Sequence, residues 1–116
     1  MRSVSSFKKI HVYCQFVDMR KSISGLSAIV DTEDSLDVFS GDLFVFCSRS
    51  RKILKAIYWD DSGFALWNKK LDKSFFKWPS GRDGKVLLFK SRLLELLLAG
   101  ADVTRKHKKL SYSRVI

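Results

Sequence analysis

The sequence predicts an α+β fold: an antiparallel sheet meander of four to five strands packed by two helices. Three observations predict it. Residues 43–47, 53–59 and 64–67 are runs of apolar, β-branched and aromatic side chains separated by short polar stretches, and a fourth short run, 75–78, ends at the one proline, Pro79. Residues 18–30 and 92–99 carry apolar side chains in a helical arrangement. The length of 116 residues, 46% of them hydrophobic, suits one domain whose core needs no disulfide. The expected domain spans 1–116, with a loose N-terminal arm at 1–8 and a basic tail at 104–116.

Each element has a local reason. Residues 10–16 (IHVYCQF) are rich in strand formers. Asp18 is a good helix N-cap, and Met19, Ile23, Leu26, Ile29 and Val30 then form one apolar stripe through residue 30. Gly25 in that helix costs about 1 kcal/mol against alanine, so close packing is expected there. An acidic connector follows with Asp31, Glu33, Asp34 and Asp37. Asp60-Asp61-Ser62-Gly63 is the clearest hairpin turn, with Gly63 free to take positive φ. Asp72-Lys73-Ser74 is a second turn. Residues 80–85 (SGRDGK) form a glycine-containing loop without the spacing of a phosphate-binding P-loop. Residues 86–89 suit a short edge strand. Residues 92–99 form a helix stopped by Gly100. Its leucines cover more than one face. It is therefore buried on two sides, or it forms a homo-oligomer interface through Leu93, Leu94 and Leu97.

Charge points to a polyanion partner. Twenty-two Lys and Arg stand against twelve Asp and Glu, for a formal net charge of +10. In so small a chain that balance favours nucleic acid. The candidate DNA contacts are Arg20 and Lys21, then Arg49, Arg51 and Lys52 in the first turn of the meander. Lys69, Lys70, Lys73 and Lys77 follow on the last hairpin, and Arg105, Lys106, Lys108 and Lys109 in the tail. Tyr58, Trp67 and Trp78 interleave with these cations and suit base stacking, Trp67 and Trp78 being the rings expected to be partly exposed. Phe44, Phe46, Trp59 and Phe64 are expected in the core. Arg20 and Lys21 sit where a helix dipole favours an anion, so with the first-turn amides they suit a phosphate corner. The competing expectation is that Arg20 pairs with Asp18.

Catalytic chemistry is not indicated. Cys14 and Cys47 lie among apolar neighbours and read as buried reduced thiols. His11 is far in sequence from His107, so no metal-ligand spacing exists and no cofactor is expected. Asp60, Asp61 and Glu95 could be imagined as a metal-binding carboxylate set, but the two aspartates already have turn roles. No apolar run approaches the roughly 18 residues of a membrane span, and no leader pattern follows the basic N-terminus. The expected compartment is the cytoplasm.

Several pieces fall in a specific order: Asp18-Met19-Arg20-Lys21, Gly25-Leu26, Phe39-Ser40-Gly41-Asp42-Leu43-Phe44-Val45-Phe46, Trp59-Asp60, Gly63-Phe64, Leu66-Trp67, Lys69-Lys70-Leu71 and Phe76-Lys77-Trp78-Pro79. On these the chain resembles the TnpB family of transposase accessory proteins, encoded by the second open reading frame of insertion sequence 66 elements of bacteria. The resemblance runs from about Val12 to Asp102. It implies a non-catalytic accessory role in transposition for a protein encoded beside a transposase; the transposase of the same element and, from the charge, DNA are the expected partners. The chain departs from the family pattern at Val17, Ser22, Ser74-Phe75-Phe76 and Lys90-Ser91, where members usually carry Thr, Gly, Gly-Arg-Phe and Thr-Pro. Two roles fit: a DNA-binding factor that helps assemble the transposase–DNA complex, or an adaptor that binds the transposase without touching DNA.

Overall fold

The computed structural model describes residues 2–79 and 86–101, and the backbone of the two-residue strand Ser113–Arg114. Its centre is one sheet of strands β1 (Ile10–Tyr13), β2 (Leu43–Cys47), β3 (Ile53–Trp59), β4 (Phe64–Lys70), β5 (Val86–Phe89) and β6 (Ser113–Arg114), in the spatial order β4-β3-β2-β1-β5-β6. Helix α1 (Ile23–Asp31) lies against one face, and helix α2 (Ser91–Leu98) against the other. The fold is α+β, as the hydrophobic runs predict.

The sheet is mostly antiparallel, with one departure. β1 pairs with β2 in parallel, Ile10 opposite Leu43 and Val12 opposite Val45. The connection through α1 returns the chain to the same end of the sheet, which parallel neighbours require. β5 is not the edge strand expected. It pairs with β1 antiparallel and with β6 on its other side. Buried on both faces, β1, β2 and β5 read as continuous apolar runs rather than alternating ones.

Side-chain alternation divides the core in two. Val12, Leu43, Val45, Leu54, Ala56, Leu87 and Phe89 face α2, where Leu93, Leu94 and Leu97 meet them. Phe44, Phe46, Ile57, Tyr13 and Val86 face α1, where Leu26 and Val30 meet them. Phe44 and Phe46 are core residues as expected. Each such side chain taken from water stabilises the fold by about 1.5–3 kcal/mol. The three α2 leucines are consumed by the protomer's own core. The expected interface through Leu93, Leu94 and Leu97 is therefore corrected: of the two alternatives for that helix, burial holds.

Four other expectations change. The N-terminal arm is not loose: a short 3-10 helix (Val4–Ser6) leads into buried Phe7, and the Arg2 guanidinium lies 4.1 Å from the Phe7 ring. Helix α1 starts at Ile23 with Ser22 as its N-cap, not at Asp18. Residues 75–78 form no strand; they wrap back so that Phe76 and Trp78 enter the core on the α2 side. In the β3–β4 turn the positive φ belongs to Asp61 (50°), not to Gly63, an assignment aspartate tolerates through its short polar side chain.

One buried polar pair braces the parallel strands. His11 is 2% exposed and stacks on Phe44 at 4.9 Å, and its Nε2 lies 2.9 Å from the Asp42 carboxylate. That contact satisfies one of the two ring nitrogens, while Nδ1 is buried with no hydrogen-bond partner among the described residues. The pair fixes the loop before β2 to the middle of β1.

Candidate nucleic-acid interface

The cations separated in sequence converge at one end of the sheet. The β2–β3 turn carries Arg49, Arg51 and Lys52, and Arg51 holds it by taking a φ of 62°. Antiparallel pairing puts Lys70 opposite Ile53 and Lys69 opposite Leu54, beside that turn. The chain leaving β4 is then sewn to it. The Leu71 N–H donates to the Lys52 carbonyl at 2.8 Å, and the Phe76 N–H to the Arg51 carbonyl at 2.7 Å. These bonds bring Lys73 and Lys77 to the same end. Seven cations, Arg49, Arg51, Lys52, Lys69, Lys70, Lys73 and Lys77, thus share one end with a single intervening acid, Asp72.

A ring sits among them that the sequence reading missed. Phe75 is 38% exposed, with the Arg51 guanidinium 4.6 Å and the Lys77 ammonium 4.0 Å from its centroid. Its neighbour Phe76 is fully buried. That out-and-in alternation of adjacent phenylalanines was the available signal. By contrast, the expected stacking rings are corrected. Tyr58 and Trp78 are 3% exposed, and the Trp78 Nε1–H donates to the Tyr13 carbonyl at 2.9 Å inside the core. Trp67 is half-buried as expected, with its ring edge-on to Phe7 and Tyr58.

Not every cation is equally available. Lys69 Nζ donates to the Leu98 carbonyl at 3.1 Å, where the C-terminal end of α2 is partly negative. Arg20 donates to Asp18 through Nε and Nη2, the shortest contact being 2.6 Å, and the Arg20 N–H donates to the same carboxylate at 2.9 Å. These hydrogen bonds from Arg20 hold the Asp18 carboxyl down at about 2. The phosphate corner expected of Arg20 and Lys21 is corrected on two counts: neither residue belongs to the first helical turn, and Arg20 is already paired. The competing expectation is what forms.

Lys55 explains why this corner stands where it does. From the middle of β3 its ammonium donates to the carbonyls of Met19 at 2.7 Å and Lys21 at 3.2 Å. Lys21 in turn lies against Gly25, where a Cβ would come within 3.1 Å of the Lys21 Cβ. Close packing at Gly25 is real, but its partner is Lys21 rather than the sheet. Beneath the corner, a cleft of about 310 Å³ is lined by Tyr13, Gln15, Phe16, Val17, Asp18, Lys21 and Ile29. Arg49 lines the adjoining cleft with Phe16, Val17 and Asp18. The corner is thus continuous with the basic end.

Both thiols are buried and no disulfide joins them; burial pushes Cys47 up to about 12, which leaves it unreactive at neutral pH. The tail cations Arg105, Lys106, Lys108 and Lys109 and the loop at 80–85 lie outside the described residues. No helix among the described residues is long and apolar enough to cross a membrane.

Comparison with known proteins gives the chain's family. The chain is 39% identical over 101 residues to "Uncharacterized protein y4jC" of Sinorhizobium fredii, covering 87% of this chain and 86% of that protein. It is 38% identical over 85 residues to "Uncharacterized protein y4hO" of the same organism, covering 73% of each. No solved structure matches. The family described as IS66 Orf2 like protein matches residues 8–108. The chain therefore belongs to the insertion sequence 66 Orf2-like family, and that membership supports an accessory role in transposition.

Proposed function

We propose that the protein is a non-catalytic accessory factor of transposition that binds duplex DNA through its phosphates and helps assemble the transposase–DNA complex. One observation carries the reading: hydrogen bonds between the 71–76 segment and the β2–β3 turn gather seven cations at one end of the sheet. Fixed cations on a rigid end attract phosphates by releasing the counterions condensed on DNA. Phe75, held between Arg51 and Lys77, offers a ring edge for a sugar or base at the same place. The sequence carries further cations, Arg105, Lys106, Lys108 and Lys109, in the tail. The adaptor reading, in which the chain binds the transposase without touching DNA, is favoured by the acidic connector at 31–37 and the leucine-rich helix rather than by these cations.

The test is a salt titration of duplex binding by fluorescence anisotropy. Each neutralised phosphate adds about 0.9 to the log–log slope. The variant combining Arg51→Gln, Lys52→Gln, Lys70→Gln and Lys73→Gln should flatten that slope by roughly 2–4. Deleting residues 104–116 should flatten it further. Binding that ignores salt, or a quadruple variant indistinguishable from the parent, rules the reading out.

A further inference from the structure

The opposite end of the meander has the reverse character. β3 spans from the basic turn at Ile53 to Trp59, roughly 20 Å along the sheet at about 3.3 Å per residue. At the far end three rings touch one another. Phe39 meets Trp59 edge-on at 5.1 Å and Phe64 at 5.5 Å, and Trp59 meets Phe64 at 5.1 Å. Trp59 and Phe64, expected in the core, are only half-buried, and Phe39 is 57% exposed, the most exposed large apolar side chain described.

Phe39 is held out by a built loop. The Asp37 carboxylate accepts the Phe39 N–H at 2.9 Å, the Ser40 N–H donates to the Asp37 carbonyl, and the Asp42 N–H donates to Ser40 Oγ. Gly41 takes a φ of 88°, which turns the chain back beside the Trp59 carbonyl. The surface around the rings is acidic. Asp37, Asp60 and Asp61 are all exposed, and among the described residues none of them makes an ion pair. On a chain of net charge +10, an aromatic patch edged by unpaired carboxylates is unusual.

We infer that this corner is a docking surface for a cationic, arginine-bearing segment of a partner protein. Charge complementarity selects that occupant. The exposed Phe39 face and the half-buried Trp59 and Phe64 rings receive guanidinium groups through their negative π-faces. The carboxylates of Asp37, Asp60 and Asp61 neutralise them, and a guanidinium can pair with a carboxylate through two hydrogen bonds. The same carboxylates repel DNA phosphates, so this end does not compete with the basic end. The inference adds a protein-binding surface to the DNA-binding reading and stands on different residues, so either can fail alone.

The experiment uses the full chain and a fluorescein-labelled hexa-arginine peptide, with hexa-glutamate as the control. Phe39→Ala, and separately Asp60→Asn with Asp61→Asn, should each weaken peptide binding by about tenfold or more. Both variants should keep the parent's circular dichroism, melting temperature and duplex DNA affinity. No measurable peptide binding by the parent overturns the inference. So does an effect of the aspartate changes without one of Phe39→Ala, since that is charge attraction alone. Loss of DNA binding in Phe39→Ala would assign the patch to DNA instead. Concentration-dependent self-association of the parent that Phe39→Ala abolishes would assign it to a second copy of this chain.

Discussion

Asp18 shows how far one exposed pair can shift a titration without holding much of the fold. Its carboxyl is brought down from 3.8 to about 2, first by the side-chain hydrogen bonds from Arg20 and then by the Arg20 N–H. A lowered folded-state pKa means the pair stabilises above the unfolded value. That contribution is lost as pH falls from about 4 towards 2. Because both partners are on the surface, the effect on stability is small. Titration followed by carboxyl carbon NMR should therefore place Asp18 near 2, and Arg20→Gln should return it towards 3.8. A parent Asp18 that titrates at the ordinary value would show that the pair does not form in solution. Trp78 is the opposite case, a buried residue whose polar atom matters. Trp78→Phe keeps most of the apolar contact but leaves the Tyr13 carbonyl without its donor. The expected cost is about 1–3 kcal/mol in urea unfolding.

Among the elements, α2 is the one whose role depended most on context. Its leucines cover two faces, and the structure buries Leu93, Leu94 and Leu97 against β1, β2 and β5 side chains while Leu96 and Leu98 remain half-buried. Leu94→Ala should cost about 2–5 kcal/mol by leaving a cavity. Sedimentation of the folded variant should match the parent, because this leucine faces its own core rather than a neighbour. A change in oligomeric state without a loss of stability would contradict that placement. The segment leaving β4 is the second such element. Phe75 to Trp78 reads as a strand by composition, yet its only described backbone tie to the β2–β3 turn is the Phe76 N–H to Arg51 bond. Packing of Phe76 and Trp78 into the α2-side core outweighs ladder formation there.

At the scale of the whole molecule, the two ends of the meander carry opposite chemistry: cations with Phe75 at one, carboxylates with Phe39 at the other. Sites this far apart with no shared partners should act independently. Combining Arg51→Gln and Lys52→Gln with Phe39→Ala should give unfolding free energies that add within about 0.5 kcal/mol. Only the changes at the basic end should lower duplex affinity. Non-additive stabilities would reveal coupling through the sheet and would weaken the picture of two separate surfaces.

Much of this protein is legible in its residues taken alone. The runs at 43–47 and 53–59 become β2 and β3 at those bounds, because β-branched and aromatic density is a local property. Residues 92–99 become α2 within one residue of their predicted limits. The candidate cations at 49–52 and 69–77 are visible as charge. What the tertiary structure decided is which of these segments meet. The parallel β1–β2 pair, the inner place of β5 and the burial of Trp78 beside Tyr13 all join residues far apart in the chain. Composition and periodicity report only on near neighbours. The same holds for the lysine at position 55, an ordinary strand residue by sequence, whose ammonium reaches two carbonyls more than thirty positions away. Each such contact joins groups that meet only in space, and the chain order does not say where a partner will be.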